Sequence, residues 1–228
     1  MLFRNTTLKE LPLNDRIIKL SGPDRIRKRP HIIFSRQDAE GVHAMILVLL
    51  IYSIQEHQLG LADHVSLTRL RDGSYIIEDN GSGLPIEPED DINGWQELFY
   101  GEFPPRKEGK YVFSIGTDRE RKLKAIKGDN FIHSPWYAHF AACAASSFMD
   151  VETFHAGYFY RLHFETGHLI GEVSKTENAD GRGMSIHFLP DEEVFEDLNL
   201  DLGRVKALAE KQMFANPGLT ITVTEVIP

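Results

Sequence analysis

The run Met45–Ile54, MILVLLIYSI, is apolar at every one of its ten positions except Ser53, and it restricts the available folds more than any other stretch. Between Gly41 and Gly60 it reads as one helix with a glycine past its end. A helix that is apolar all round is buried all round. One side must therefore pack on a sheet. The opposite side, Val48, Ile51 and Tyr52, must also meet something apolar: the protein's own lid, or an apolar ligand or partner. A run of ten is too short to cross a bilayer, which takes about 20 residues, so the expected place is a protein core.

The rest of the chain supplies the partners for that helix. His64–Leu70 and Ser74–Asp79 alternate as strands, and Asp72-Gly73 between them is a hairpin turn. From Met149 onward the segments MDVETFH, YFYRLHF, HLIGEVSK and MSIHFLP form a meander, broken at Ala156-Gly157, Thr166-Gly167 and Asp180-Gly181. In SPWYAHFAACAASSF, Ser134 is an N-cap and Pro135 the first helical residue of a second helix. A last helix spans Leu202–Ala215, and LTITVTEV is a final strand. A helix-rich start followed by strands gives an α+β fold: a two-layer sandwich of one mixed sheet with helices on one face. Residues 1–20 read as a polar arm and 21–228 as a single domain.

Composition narrows the function classes. With 228 residues, 42% hydrophobic and 26% charged, the chain is globular in type. A net charge of −9 argues against a nonspecific duplex-binding surface. The basic runs Arg25–Arg29 and Arg119–Lys127 read as solvated faces; the second could alternatively grip an anion or an acidic partner. The single cysteine, Cys143, cannot form an internal disulfide, which fits a reducing cytoplasm, and its apolar neighbours place it in the interior. The N-terminus has no apolar signal segment. His155 and His163 lie on different strands with no zinc-like ligand spacing, so no metal site is expected.

YIIEDNGSGLP, Tyr75–Pro85, asks for a nucleotide: a strand delivers a carboxylate and two glycines one residue apart. At this point the sequence resembles the ATP-binding domain of the DNA gyrase B subunit, within the superfamily of gyrase, heat-shock chaperones, histidine kinases and mismatch-repair proteins, whose ATP-binding unit is the Bergerat fold. Four stretches in order carry the resemblance: IIKLSGPDRIRKRPHIIFS, GVHAMILVLLIYSIQEHQLG, EDNGSGLP and GRGMSIHFLPD. They cover nearly the whole chain.

The resemblance implies a pocket for ATP and Mg²⁺ between the first helix, the glycine turn and a glycine-rich lid. It puts a general-base glutamate at Val48 and a metal-binding asparagine at Tyr52. The aspartates it expects fall on Ile51 and Gln55, and Glu56 is a surface position. The adenine end keeps Asp79, Gly81, Gly83 and Leu84, but the adenine-side threonine is Met184 and the arginine between the glycines is Ser82. In place of the lid stands KGDNFIHSPWY, with Gly128 as its one glycine and Phe131, Trp136 and Tyr137 as plugs. The expectation is therefore a pseudo-ATPase without catalytic or metal-binding residues, in which ATP or ADP binding rests on Asp79 alone and Mg²⁺ has no ligands. Its function would be that of a cytoplasmic interaction or regulatory module. The partner would be a protein: a second copy, gyrase B or another host protein, with no membrane or strong nucleic-acid signal. The alternative is a module that holds ATP or ADP without efficient hydrolysis. The transducer and DNA-cleavage domains of gyrase B have no counterpart in these residues.

Overall fold

The computed structural model describes residues 22–88, 94–100, 138–178 and 180–226. The N-terminal arm, the Arg119–Lys127 run, Gly128, Phe131, and the Ser134–Tyr137 helix start with its aromatics lie outside the described residues.

Two short helices come first, α1 (Gly22–Lys28) and α2 (His31–Phe34). The long helix α3 (Ala39–Gln58) follows; Asp38 caps it by accepting from the Glu40 N–H. Strands β1 (His64–Arg69) and β2 (Tyr75–Asp79) form the expected antiparallel hairpin, Val65 opposite Asp79 and Arg69 opposite Tyr75. A π-helical turn (Gln96–Tyr100) and helix α4 (Ala138–Ala144) precede β3 (Ser146–His155) and β4 (Tyr158–Glu165). Then come β5 (His168–Leu169), β6 (Ser174–Glu177), β7 (Met184–Pro190), α5 (Leu202–Ala215) and β8 (Thr220–Glu225).

The strands form one eight-stranded sheet in the order β5-β4-β3-β7-β2-β1-β8, with β6 also paired to β4. It is mixed because β8 runs parallel to β1 while the other pairs are antiparallel. This is the expected α+β architecture, with one correction. HLIGEVSK is not one strand: Gly171 takes φ +77°, and the chain arcs away after two residues of β5 and returns as β6. A left-handed backbone cannot continue a ladder.

Burial alternates along the strands, as it does when one face is packed and the other open. Val65, Leu67, Tyr75, Ile77, Met149, Val151, Leu162, Phe164, Ile186 and Phe188 are buried on the helix side. Met45, Ile46, Leu49, Leu50 and Ile54 of α3 join them in one core. By length and composition α3 could cross a membrane; here most of it is inside the fold. The expectation of burial all round is only partly met: Val48 and Ile51 are half-buried. Cys143 is fully buried, and burial pushes its thiol far above the usual range.

The first basic run is structural rather than solvated at one position. Arg27 donates to the Ala144 carbonyl at 3.1 Å and pairs with Asp191 at 2.8 Å and Glu193 at 3.0 Å. It thereby ties α1 to the end of α4 and to the segment after β7.

On the open face the register sets His163 (β4), Asp150 (β3) and His187 (β7) side by side. His163 Nδ1 lies 2.6 Å from Asp150 Oδ1, and that hydrogen bond raises the histidine's pKa. A pKa higher in the folded than in the unfolded state stabilises the fold fully below the unfolded value, about 6.5. The contribution is lost as pH rises through the folded value. His163→Gln should therefore cost more stability at about pH 5.5 than at about pH 8.5, read as the urea midpoint relative to wild type. A cost that is equal at both pH values, or larger at the higher one, contradicts the assigned contact.

Candidate functional site

The sequence confines the candidate site to the end of β2, where Asp79 leads into Asn80-Gly81-Ser82-Gly83-Leu84. The structure brings four of the five residues that the resemblance assigns to a nucleotide, Asp79, Gly81, Gly83 and Leu84, together in this turn. It seats the fifth, Met184, directly across from Asp79 in the β2–β7 ladder.

Asp79 is buried, and two donors orient its carboxylate. Ser53 Oγ donates to Oδ2 at 2.7 Å, and the Gly81 N–H donates to Oδ1 at 2.9 Å. Ser53 is the one polar residue of the apolar run on α3. A hydroxyl in such a run has to find an acceptor when it is buried, and Asp79 is that acceptor.

One helical turn on, Glu56 corrects the sequence reading. It is not a surface residue but 1% exposed. Its Oε2 accepts from both the backbone N–H of Ser82, at 2.8 Å, and the Ser82 hydroxyl, at 2.7 Å. Positions 53 and 56 lie three apart on one helical face, so α3 meets the turn through two side chains. A buried carboxylate is tolerated only with such donors. Ser82, standing where the resemblance expects an arginine, supplies two of them.

Both glycines of the turn answer to contacts inside the protein. A Cβ at Gly81 would come within 2.7 Å of Glu56 Oε2, and one at Gly83 within 1.9 Å of the Phe154 carbonyl oxygen. Gly83 also has φ +76°, a left-handed conformation. The Leu84 N–H donates to Thr153 Oγ1 of β3 at 2.8 Å. Gly183, just before β7, donates its N–H to the Gly81 carbonyl at 2.9 Å. The turn is thus fixed from three sides, by α3, β3 and the start of β7.

The positions that the resemblance makes catalytic carry no carboxylate or carboxamide. Val48 is half-buried on α3. Tyr52 is buried, and its ring meets the His139 ring edge-on, centroids 4.6 Å apart at 82°. His139 also meets Phe99 of the π-helical turn at 5.7 Å. Among the described residues no group of three or more His, Cys, Asp or Glu is placed to hold a metal ion. A hydrocarbon side chain and a packed phenol ring do not fit Mg²⁺, which takes oxygen ligands in near-octahedral geometry.

No family model matches the chain. The DNA gyrase B subunit of Helicobacter pylori (strain J99) is 26% identical over 209 residues, which are 90% of this chain and 25% of the relative. The type 2 topoisomerase B subunit of Aquifex aeolicus is 26% identical over 208 residues, 90% of this chain and 24% of that protein. The DNA gyrase B subunit of Micrococcus luteus is 26% identical over 228 residues, 95% of this chain and 30% of its own length. The chain thus spans between 24% and 30% of the length of these curated relatives. With that similarity along nine-tenths of its length, and with a mixed sheet and helices of the matching α+β class, the chain is a gyrase-B-like relative of the ATPase domain.

Proposed function

We propose that this gyrase-B-like domain is a pseudo-ATPase, an interaction or regulatory module of the cytoplasm that recognises a protein and does not turn over ATP. One observation carries the reading: the position for the metal ligand on α3 holds Tyr52, whose ring is buried against His139. Beside it, Val48 offers no base. Losing a general base alone costs typically 10²- to 10⁴-fold in rate, and here the metal ligand goes with it. The partner is a second copy, gyrase B or another host protein; affinity capture with the purified chain, set against gyrase B and against itself, separates these.

A second reading is favoured by the turn. Asp79 is held in a defined orientation by Ser53 and the Gly81 N–H, as an acceptor for an adenine amino group would need to be. On this reading the domain holds ATP or ADP without efficient hydrolysis. The energetics weigh against tight binding. One charge-assisted hydrogen bond contributes about 1.5–3 kcal/mol net, whereas micromolar affinity needs about 8 kcal/mol.

The expected result is ATP binding no tighter than about millimolar by calorimetry, unchanged by Mg²⁺, with steady-state phosphate release at background. Phosphate release that EDTA abolishes would refute the pseudo-ATPase. Micromolar binding lost in Asp79→Asn, without release, would establish the nucleotide-holding module instead.

A further inference from the structure

On the open face, opposite α3, a cavity of about 480 Å³ lies between β3, β4 and β7 and the arc from Ile170 to Ser174. One lining residue, His187, ends a hydrogen-bond chain that starts in the hairpin turn outside the cavity and fixes its proton positions. Ser74 Oγ lies 2.6 Å from Asp72 Oδ1 and 2.9 Å from His187 Nε2. Hydrogen bonds from Ser74 hold the Asp72 pKa below the ordinary carboxylate range, so Asp72 only accepts. The Ser74 hydroxyl must donate to it. The second contact of Ser74 then needs its proton from His187, which fixes the neutral imidazole as the Nε2–H tautomer. The Nδ1 of His187 is left as a bare lone pair.

That lone pair sits 3.9 Å from Asp150 Oδ2. The other oxygen of Asp150 already accepts from His163. Two acceptors thus lie side by side, too far apart for a bond, on the floor of a cavity that is open to solvent. A nitrogen at about 2.8 Å from each, the usual length of a charge-assisted bond, closes this triangle with roughly a right angle at nitrogen. It must bring two N–H bonds and favour a negative surround. The nearby Arg161 guanidinium does not oppose this, because Glu152 pairs with it at 2.8 Å. Glu172 lines the same cavity and is exposed, with no ion pair among the described residues.

We propose that this cavity binds a primary ammonium or guanidinium group, held between His187 Nδ1 and Asp150 Oδ2 with Glu172 at the rim. The charged and titratable groups facing it are Asp72 from the hairpin turn, Asp150 and Glu152 from β3, Arg161, His163 and, at 3.6 Å from His163 Nε2, Glu165 from β4, and Glu172 from the arc. A proton gained by His163, whose pKa the Asp150 hydrogen bond raises, offsets the Asp150 charge, so binding weakens as pH falls.

The test follows the histidine ring resonances of the whole chain by NMR. The probes are putrescine, a lysine-containing peptide blocked at both ends, and tetramethylammonium, which has the charge but no N–H. At about pH 8 putrescine or the peptide should shift His187 and His163, and the dissociation constant should be larger at about pH 6 than at about pH 8. Tighter binding of putrescine assigns a free amine as the ligand, and tighter binding of the peptide assigns a side chain of a partner protein. Asp150→Asn should weaken binding about tenfold or more, one charge-assisted bond's worth. Glu172→Gln, at an exposed rim position, should weaken it about twofold to fivefold and serves if the first variant does not fold. Equal shifts with tetramethylammonium, the absence of any shift with putrescine and the peptide, affinity independent of pH, or unchanged binding in both variants would each overturn the proposal.

Discussion

Gly83→Ala is expected to destabilise the domain by about 2–5 kcal/mol. About 1–2 kcal/mol comes from placing an L-residue in a left-handed conformation. About 1–3 kcal/mol comes from forcing an atom into a packed site, since the new Cβ would lie 1.9 Å from the Phe154 carbonyl oxygen. That oxygen belongs to β3, which is held on both sides by β4 and β7, so it cannot step aside cheaply. Gly73→Ala is the control. Gly73 has φ +86° but nothing within 4 Å of a built Cβ, so it should lose only the conformational part. Urea unfolding of the three proteins measures both terms. Equal losses at 73 and 83 would show that the close approach of turn and β3 is absent.

Rebuilding the positions that the resemblance makes catalytic should cost stability and return no activity. In Val48→Glu/Tyr52→Asn, the aromatic ring that meets His139 is lost. Truncating a buried aromatic side chain costs about 3–5 kcal/mol when nothing refills the space. The new glutamate also places a charge on a half-buried wall. Fewer stable molecules and no EDTA-sensitive phosphate release are the expected outcome, by thermal unfolding and a coupled phosphate assay. A double variant that unfolds no earlier than wild type, or that hydrolyses ATP in a metal-dependent way, would show that Tyr52 stands in an open pocket rather than against His139.

Helix α5 was legible to its ends, Leu202 and Ala215, because its signals are local: Asp201 accepts from the N–H groups of Gly203 and Arg204, and ANPG follows. The hairpin and the turns at Ala156-Gly157 and Thr166-Gly167 were legible for the same reason, each marked by its own dipeptide, whereas the break at Gly171 was not. The role of Glu56 was not. A glutamate near the end of a helix is by default a surface residue, and the donors that permit its burial come from Ser82, 26 residues away. Ser53 could have been found, as a lone hydroxyl in a run that had to be buried. The acceptor pair on the open face was hidden for another reason. In the sequence His163 shows only a lack of zinc-like spacing, and Asp150 and His187 carry no signal of their own; the register of three strands makes them neighbours.

The parallel pairing of β8 with β1 has a consequence for how the chain reaches this structure. Thr68 and Thr224 touch across this pair although 156 positions separate them. During synthesis β1 can settle against β2 almost at once, but its other edge waits until nearly all of these residues have been made. Contacts so distant along the chain require loop closure before they bring any gain, and such topologies fold slowly, in milliseconds to seconds rather than microseconds. For that interval the nascent chain exposes an unpaired strand edge beside its most apolar helix, and a chaperone or a neighbouring copy can compete for it before β8 arrives.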